Sequence, residues 1–376
     1  MNKNLFSRPI LVEINLKNLQ YNIRQIKKVL SKKTKILAVV KTNAYGHGLI
    51  EVTKACLKER VDFLGVTSVE EGIQLREKNI KLPILILGTL FPFENFKYIL
   101  RYNLIPTIAS ISGLESYSYY SKKLNKKGVF HLKIDTGMGR IGISPESIDK
   151  FLERYLTHKN LLMEGVFTHF SSADSDDEYT LEQINIFDNA IKKIRKIFPN
   201  SNLIVHACNS SGMLKFQQAH YSMVRSGLCI YGLKPFEDSH KFITTKPVLS
   251  WKAKIVFLKK VPEGKSISYG RTFITKKPTL VATIPVGYGD GYNRKLSNRG
   301  YVFIKNKIAP VIGRVTMDMT MIDVTDIKNV KIGDEVSLID SEAKIYVEDM
   351  AKLVGTINYE IVCNIHPRVP RIYAEE

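Results

Sequence analysis

The chain has 376 residues, 44% hydrophobic and 24% charged, with 23 Gly and 14 Pro, an ordinary globular balance that excludes disordered, collagen-like and coiled-coil classes. No run approaches the ~20 apolar residues that span a bilayer. The opening MNKNLFSRPILVEI has neither an apolar leader core nor a small-residue cleavage site, so neither a membrane anchor nor a secretory signal is expected. The formal charge of +20 would suit a nucleic-acid binder, but the lysines are spread in pairs (27–28, 122–123, 192–193, 259–260) without interleaved aromatics. A lysine-rich solvated surface is the favoured reading, with no nucleic-acid partner. Cys56, Cys208, Cys229 and Cys363 are scattered with no CxxC pair, so no disulfide framework and no metal site is expected, and a cytoplasmic location fits.

In chain order, a helix over NLKNLQYNIRQIKKVL comes first. Short apolar runs then recur, each followed by a charged amphipathic stretch: ILAVVK (36–41), VDFLGVT (61–67), LPILILG (82–88), LIPTIAS (104–110), VFHLKIDTG (129–137), MEGVFTHF (163–170), LIVHACNS (203–210) and MVRSGLCIYG (223–232). Strands alternating with helices imply parallel βαβ units, and eight of them predict a closed (β/α)8 TIM barrel of the α/β class. After Lys241 the pattern becomes alternating and β-branched, with one helix-like segment at YVEDMAKLVG. The expected organisation is a barrel over 1–240 followed by a mainly-β domain over 241–376.

Barrel chemistry sits at the C-terminal ends of the strands. Those ends carry Lys41, then Lys133, Asp135 and Arg140, then His169, then Asn209 and Ser210, then Arg225. Taken singly, His169 reads as a satisfied rim histidine and Arg225 as an ion-pair partner; together they favour a site. Lys41 directly follows a buried run, and a lysine whose pKa is lowered there is a nucleophile or base. A lysine that has merely reached the rim fits this position equally well. Ser210–Ser211–Gly212 and Arg225–Ser226–Gly227 follow the seventh strand and lie at the eighth, where barrels commonly hold phosphate. A lysine at one end and a phosphate nest at the other suggest pyridoxal 5'-phosphate.

VVKTNAYGHG, LKIDTGMGRIG, THF, HACNS, VRSGLCIYG, SYGRTF, GYGDGY, GRVTMDM and NYEIVCNIHPRVPRIY occur in an order that resembles the alanine racemases, from Arg8 onward. The resemblance implies a pyridoxal-phosphate enzyme interconverting L- and D-alanine for cell-wall synthesis, working as a homodimer with shared sites. It implies that Lys41 binds the cofactor covalently and is the base on one face. Tyr269, from the other subunit, would be the base opposite. Tyr45, Ser210, Gly227, Leu228 and Tyr359 would contact the phosphate, with Asn209 beside them. Arg225 would partner the pyridine nitrogen, and His169 would link Arg225 to Tyr269. Arg140 and the other subunit's Met317 would hold the substrate carboxylate, Lys133 would be carbamylated beside Arg140, and Tyr288 would stand at the entrance. Many relatives have Cys before the Met-Asp pair; this chain has Thr316, so thiol-dependent inhibition there does not carry over. The rivals are a basic-amino-acid decarboxylase, which the Arg225 pairing disfavours, and a single-domain cofactor-binding protein, which the β-rich segment disfavours.

Overall fold

The computed structural model describes residues 8–199 and 201–374. The expectation about a leader rests on residues 1–14, of which 1–7 lie outside that range. Among the described residues, nineteen strands are formed. The first, β1 (Ile10–Asn15), is followed by the helix Leu16–Val29, whose first turn is capped by Asn15 accepting the Asn18 N–H at 2.9 Å. The helix turns Leu19, Ile23 and Ile26 to the core.

Eight parallel strands come next: β2 (Lys35–Val39), β3 (Phe63–Val66), β4 (Ile84–Ile86), β5 (Ile105–Ile108), β6 (Gly128–Lys133), β7 (Leu161–Phe167), β8 (Ile204–His206) and β9 (Met223–Ser226). Each overlaps one of the eight apolar runs. β3, β4 and β5 are buried at every position, as parallel strands covered on both faces require. They form one sheet in the order β8-β7-β6-β5-β4-β3-β2-β9. Its seam is bridged where Ser222 N–H donates to Val205 O and Arg225 N–H to Cys208 O, both at 3.0 Å. The barrel is therefore nearly closed, and its interior is a packed core rather than a pore.

The remaining strands are β10 (Leu249–Lys254), β11 (Phe257–Val261), β12 (Ser266–Ile267), β13 (Phe273–Ile274), β14 (Thr279–Ile284), β15 (Tyr301–Ile304), β16 (Lys307–Pro310), β17 (Thr320–Asp323), β18 (Glu335–Ile339) and β19 (Arg371–Ala374). They build a six-stranded sheet, β16-β15-β18-β10-β1-β19, a three-stranded sheet, β11-β14-β17, and the β12–β13 hairpin. The helix Val347–Val354 forms at the helix-like segment. One element differs from expectation: Ile10–Asn15 lies within the segment read as barrel, yet pairs with β10 and β19. Its burial alternates, with Ile10, Val12 and Ile14 inward. A strand with one buried face belongs in such a sheet, not in a barrel wall covered on both sides. Among the described residues, no helix is long and apolar enough to cross a membrane.

Candidate active site

A cavity of about 580 Å³ opens at the C-terminal ends of the barrel strands. Lys41, Tyr45, Lys133, Arg140, His169, Asn209, Ser210, Arg225, Gly227 and Tyr359 all line it, and no Asp or Glu does among the described residues.

Lys41 follows β2 and opens an unusual turn. Thr42, Asn43, Ala44 and Tyr45 all have φ between 52° and 56°, and Gly46 has φ 76°. Left-handed backbone costs about 1–2 kcal/mol for each residue with a Cβ, so this turn must be held by its surroundings. Glu71 holds it: one carboxylate oxygen accepts the N–H groups of Thr42 at 2.5 Å and Asn43 at 3.3 Å, and the other accepts Thr67 N–H at 3.0 Å. Asn43 in turn accepts Leu49 N–H at 2.9 Å. A Cβ on Gly46 would stand 2.3 Å from Val362 O. The Lys41 amine has its pKa lowered first by burial and then by Arg140, which favours the neutral amine.

Arg225, at the end of β9, is buried and has no carboxylate partner among the described residues. Nη2 donates to Ala207 O at 2.7 Å and Thr168 O at 2.8 Å and approaches His169 Nδ1 at 3.2 Å, while Nη1 donates to His206 Nδ1 at 3.0 Å. Burial lowers its pKa to about 10, which still leaves it a cation. His169 is held well below the usual imidazole range, by desolvation first and Arg225 next, so its ring is neutral and can accept from the guanidinium.

Lys133 ends β6 with its ammonium 4.7 Å from the centre of the Phe167 ring, over which the Arg225 guanidinium also lies. Burial, then Arg225 and Arg140, bring its pKa down to about 7. The loop from Lys133 to Arg140 is fixed by Asp135, which accepts the N–H groups of Gly137 at 3.0 Å and Gly139 at 3.1 Å. Four basic side chains thus converge on a cavity with no lining carboxylate among the described residues, Glu71 and Asp135 acting on Lys41 and Lys133 from outside it.

At the other wall, Asn209 caps the short helix Ser210–Lys215 by accepting Gly212 N–H at 2.9 Å. Ser210 Oγ accepts Gly227 N–H at 3.1 Å and Cys229 N–H at 3.5 Å. Ser210 also lines the cavity, so this hydroxyl stands at its wall. A Cβ on Gly227 would come within 2.7 Å of the Tyr45 hydroxyl, so only glycine keeps this wall open. The ring of Tyr45 stacks on Tyr231 at 4.9 Å and meets Tyr359 at 5.5 Å. These donors and the surrounding cations suit a phosphate ester in size and sign.

The remaining expected residues lie elsewhere. Leu228 is buried behind Gly227 and does not line the cavity. In the single chain, Tyr269 and Met317 are 72% and 55% exposed on the β-rich part, and Tyr288 is 43% exposed. Tyr288 and Met317 sit on neighbouring loops, joined by Tyr288 N–H to Thr316 O at 3.0 Å and Gly289 N–H to Met317 O at 2.9 Å. Sequence reasoning assigns nothing to Glu71, Phe167 or His206. His206 stands inside the HACNS motif, yet its contact with Arg225 comes from a different strand.

This barrel, with a half-buried lysine, a buried arginine and a wall of serine and tyrosine around one cavity, defines a class of enzyme that holds an anionic cofactor against a lysine. The alanine racemase N-terminal domain matches residues 14–235, and the alanine racemase C-terminal domain matches 248–373. The alanine racemase of Halothermothrix orenii is 44% identical, over 99% of this chain and 98% of its own. Among solved structures, the alanine racemase of Clostridium difficile 630 superposes with a TM-score of 0.92 at 37% identity, covering 98% of this chain and 96% of its own. That of Bartonella henselae, with covalently bound pyridoxal phosphate, gives 0.88 at 25% identity, covering 97% and 99%. The chain belongs to the alanine racemase family, a family of pyridoxal-phosphate-dependent isomerases.

Proposed function

We propose that this protein is an alanine racemase that interconverts L- and D-alanine on pyridoxal 5'-phosphate by a two-base mechanism, supplying D-alanine for peptidoglycan synthesis in the cytoplasm. The observation that carries this reading is the cavity itself: Lys41, Lys133, Arg140 and Arg225 surround it without a lining carboxylate. Two anions are invited, a phosphate at the Ser210–Gly227 wall and an amino-acid carboxylate near Arg140.

Lys41 would hold the cofactor covalently, and Tyr45, Ser210, Gly227 and Tyr359 its phosphate, Leu228 reaching it only through its main chain behind Gly227, with Asn209 capping the helix that carries Ser210. Arg225 would face the ring nitrogen. Pyridoxal phosphate, when bound, supplies an electron sink for the substrate's α-carbon. Arginine has no proton to release near neutral pH, so Arg225 keeps that sink moderate and favours reprotonation over side reactions. Burial keeps the amine of Lys41 available to take or return a proton at Nζ on one face. The partner subunit's Tyr269 would do the same at Oη on the opposite face, with His169 between it and Arg225. Arg140 and the partner subunit's Met317 would hold the carboxylate, with Tyr288 at the entrance.

This assignment requires a homodimer in which the 241–376 region of each subunit completes the cavity of the other. The exposure of Tyr269 and Met317 in a single chain supports it. A coupled assay fed separately with L-alanine and D-alanine, with serine, lysine and arginine as competitors, tests the reading. Turnover in both directions with alanine preferred is expected; release of CO2 from a basic amino acid would overturn it.

A further inference from the structure

Behind Arg225 runs a line of polar groups that the proposed reaction does not use. His206 Nε2 lies 2.9 Å from His131 Nδ1, and His131 Nε2 lies 3.3 Å from Glu164 Oε2. Together with the bond from Arg225 Nη1 to His206 Nδ1 at 3.0 Å, this joins four side chains from β9, β8, β6 and β7. Both histidines are fully buried, whereas the Glu164 side chain is 33% exposed.

The proton order in this chain is forced from both ends. A guanidinium can only donate and a carboxylate can only accept, while a neutral imidazole does one of each. Arg225 therefore makes His206 Nδ1 an acceptor and leaves its proton on Nε2. That proton makes His131 Nδ1 an acceptor, so His131 carries its proton on Nε2 and donates it to Glu164. Every link is satisfied in one arrangement only. Reversing either ring would set two N–H groups, or two lone pairs, against each other. Burial favours the neutral form of both rings.

The packing seats both rings. Phe167 lies parallel to His206, 4.7 Å between centres and 5° between planes. A Cβ on Gly165 would stand 2.6 Å from the His131 ring, so glycine is what admits that ring against β7. We infer that Glu164, His131 and His206 are positioning residues for Arg225, forming a one-way donor chain that fixes the guanidinium toward the cavity while keeping the fixing carboxylate two imidazoles away. A carboxylate placed directly on Arg225 would orient it equally well, but would neutralise the charge the cavity needs. The relay separates the two effects.

The inference rests on Arg225 serving the cofactor ring as proposed, and the test distinguishes the two. The cofactor-loaded enzyme is labelled with ¹⁵N-histidine, eight residues in all, and the tautomers of His131 and His206 are read from long-range ¹H–¹⁵N spectra. Both should be neutral with the proton on Nε2. Glu164→Gln, which retains an acceptor oxygen, should preserve this order and most of the activity. Glu164→Leu should give mixed tautomers and lower kcat about tenfold, the scale of one charge-assisted hydrogen bond, with KM for alanine unchanged. A proton on Nδ1 or an imidazolium at either wild-type ring would overturn the relay, as would Glu164→Leu with wild-type tautomers or wild-type kcat. If Glu164→Leu does not fold, the wild-type tautomers decide. If the wild type does not racemise alanine, the functional reading falls while the spectra still judge the relay.

Discussion

Lys133 is the side chain whose environment most changes its chemistry. An amine attacks CO2 only when neutral, and with its pKa brought down to about 7 a large share of Lys133 is neutral under physiological conditions. Carbamylation of the neutral amine forms an N–C bond to the carbon of CO2, releases the nitrogen's proton and leaves an anion at Lys133. That anion would give Arg140 a charge-assisted partner in a cavity otherwise without one. Protein equilibrated with ¹³C-bicarbonate should show a carbamate carbon signal that Lys133→Ala lacks, and the variant should have a raised KM for alanine. An identical ¹³C spectrum in both proteins would refute the modification.

At the scale of elements, the left-handed turn after Lys41 is where local conformation is least favourable and most dependent on outside support. Glu71→Ala removes the acceptor of three backbone N–H groups and should destabilise the protein by about 2–3 kcal/mol, with weaker cofactor binding. Gly46→Ala meets both the positive φ and Val362 O, and should lose at least about 2 kcal/mol. Urea unfolding and cofactor titration check both; wild-type values for Glu71→Ala would mean the turn holds itself. The same scale explains what sequence could reveal. The eight barrel strands were legible because burial on both faces leaves continuous apolar runs, and the cationic cluster was legible because each member ends or closely follows one of them. The turn was not, since four of its left-handed residues are not glycine and the stabilising Glu71 lies about 30 positions on. Nor was β1's place, which is set by pairing with residues 249–253 and 371–374. The relay behind Arg225 escaped because its members come from four separate strands. Tyr269 and Met317 were legible only through family resemblance.

For the whole molecule, buried histidines set the acid limit. His47, His131, His169 and His206 all have lowered pKa values, chiefly from burial, with His47 at about 4. Unfolded, each takes up a proton near pH 6.5. Below that pH the unfolded chain binds more protons than the folded one, so the stability present above pH 6.5 is lost as pH falls toward 4. His47 alone accounts for about 3 kcal/mol of this on the scale of 1.36 kcal/mol per pKa unit. Urea unfolding at pH 7.5 and pH 5 should show the drop, and equal stability would contradict it. Shared sites make a second demand on the assembly. Lys41→Ala and Tyr269→Phe subunits, each inactive alone, should recover activity after exchange, because one cavity of the heterodimer then carries neither change. Proven exchange without recovery would contradict a site completed by the partner subunit.

If one cavity moves the α-proton of alanine between two faces, isotope exchange accompanies racemisation. The enzyme, loaded with pyridoxal phosphate, is incubated in D2O with L-alanine and, separately, with D-alanine, following both optical rotation and deuterium at Cα. Both reactions should converge on equal amounts of the two enantiomers, and newly formed product should carry one solvent deuterium from the base opposite the one that removed the proton. Unchanged rotation, or loss of CO2 in place of exchange, would contradict the account.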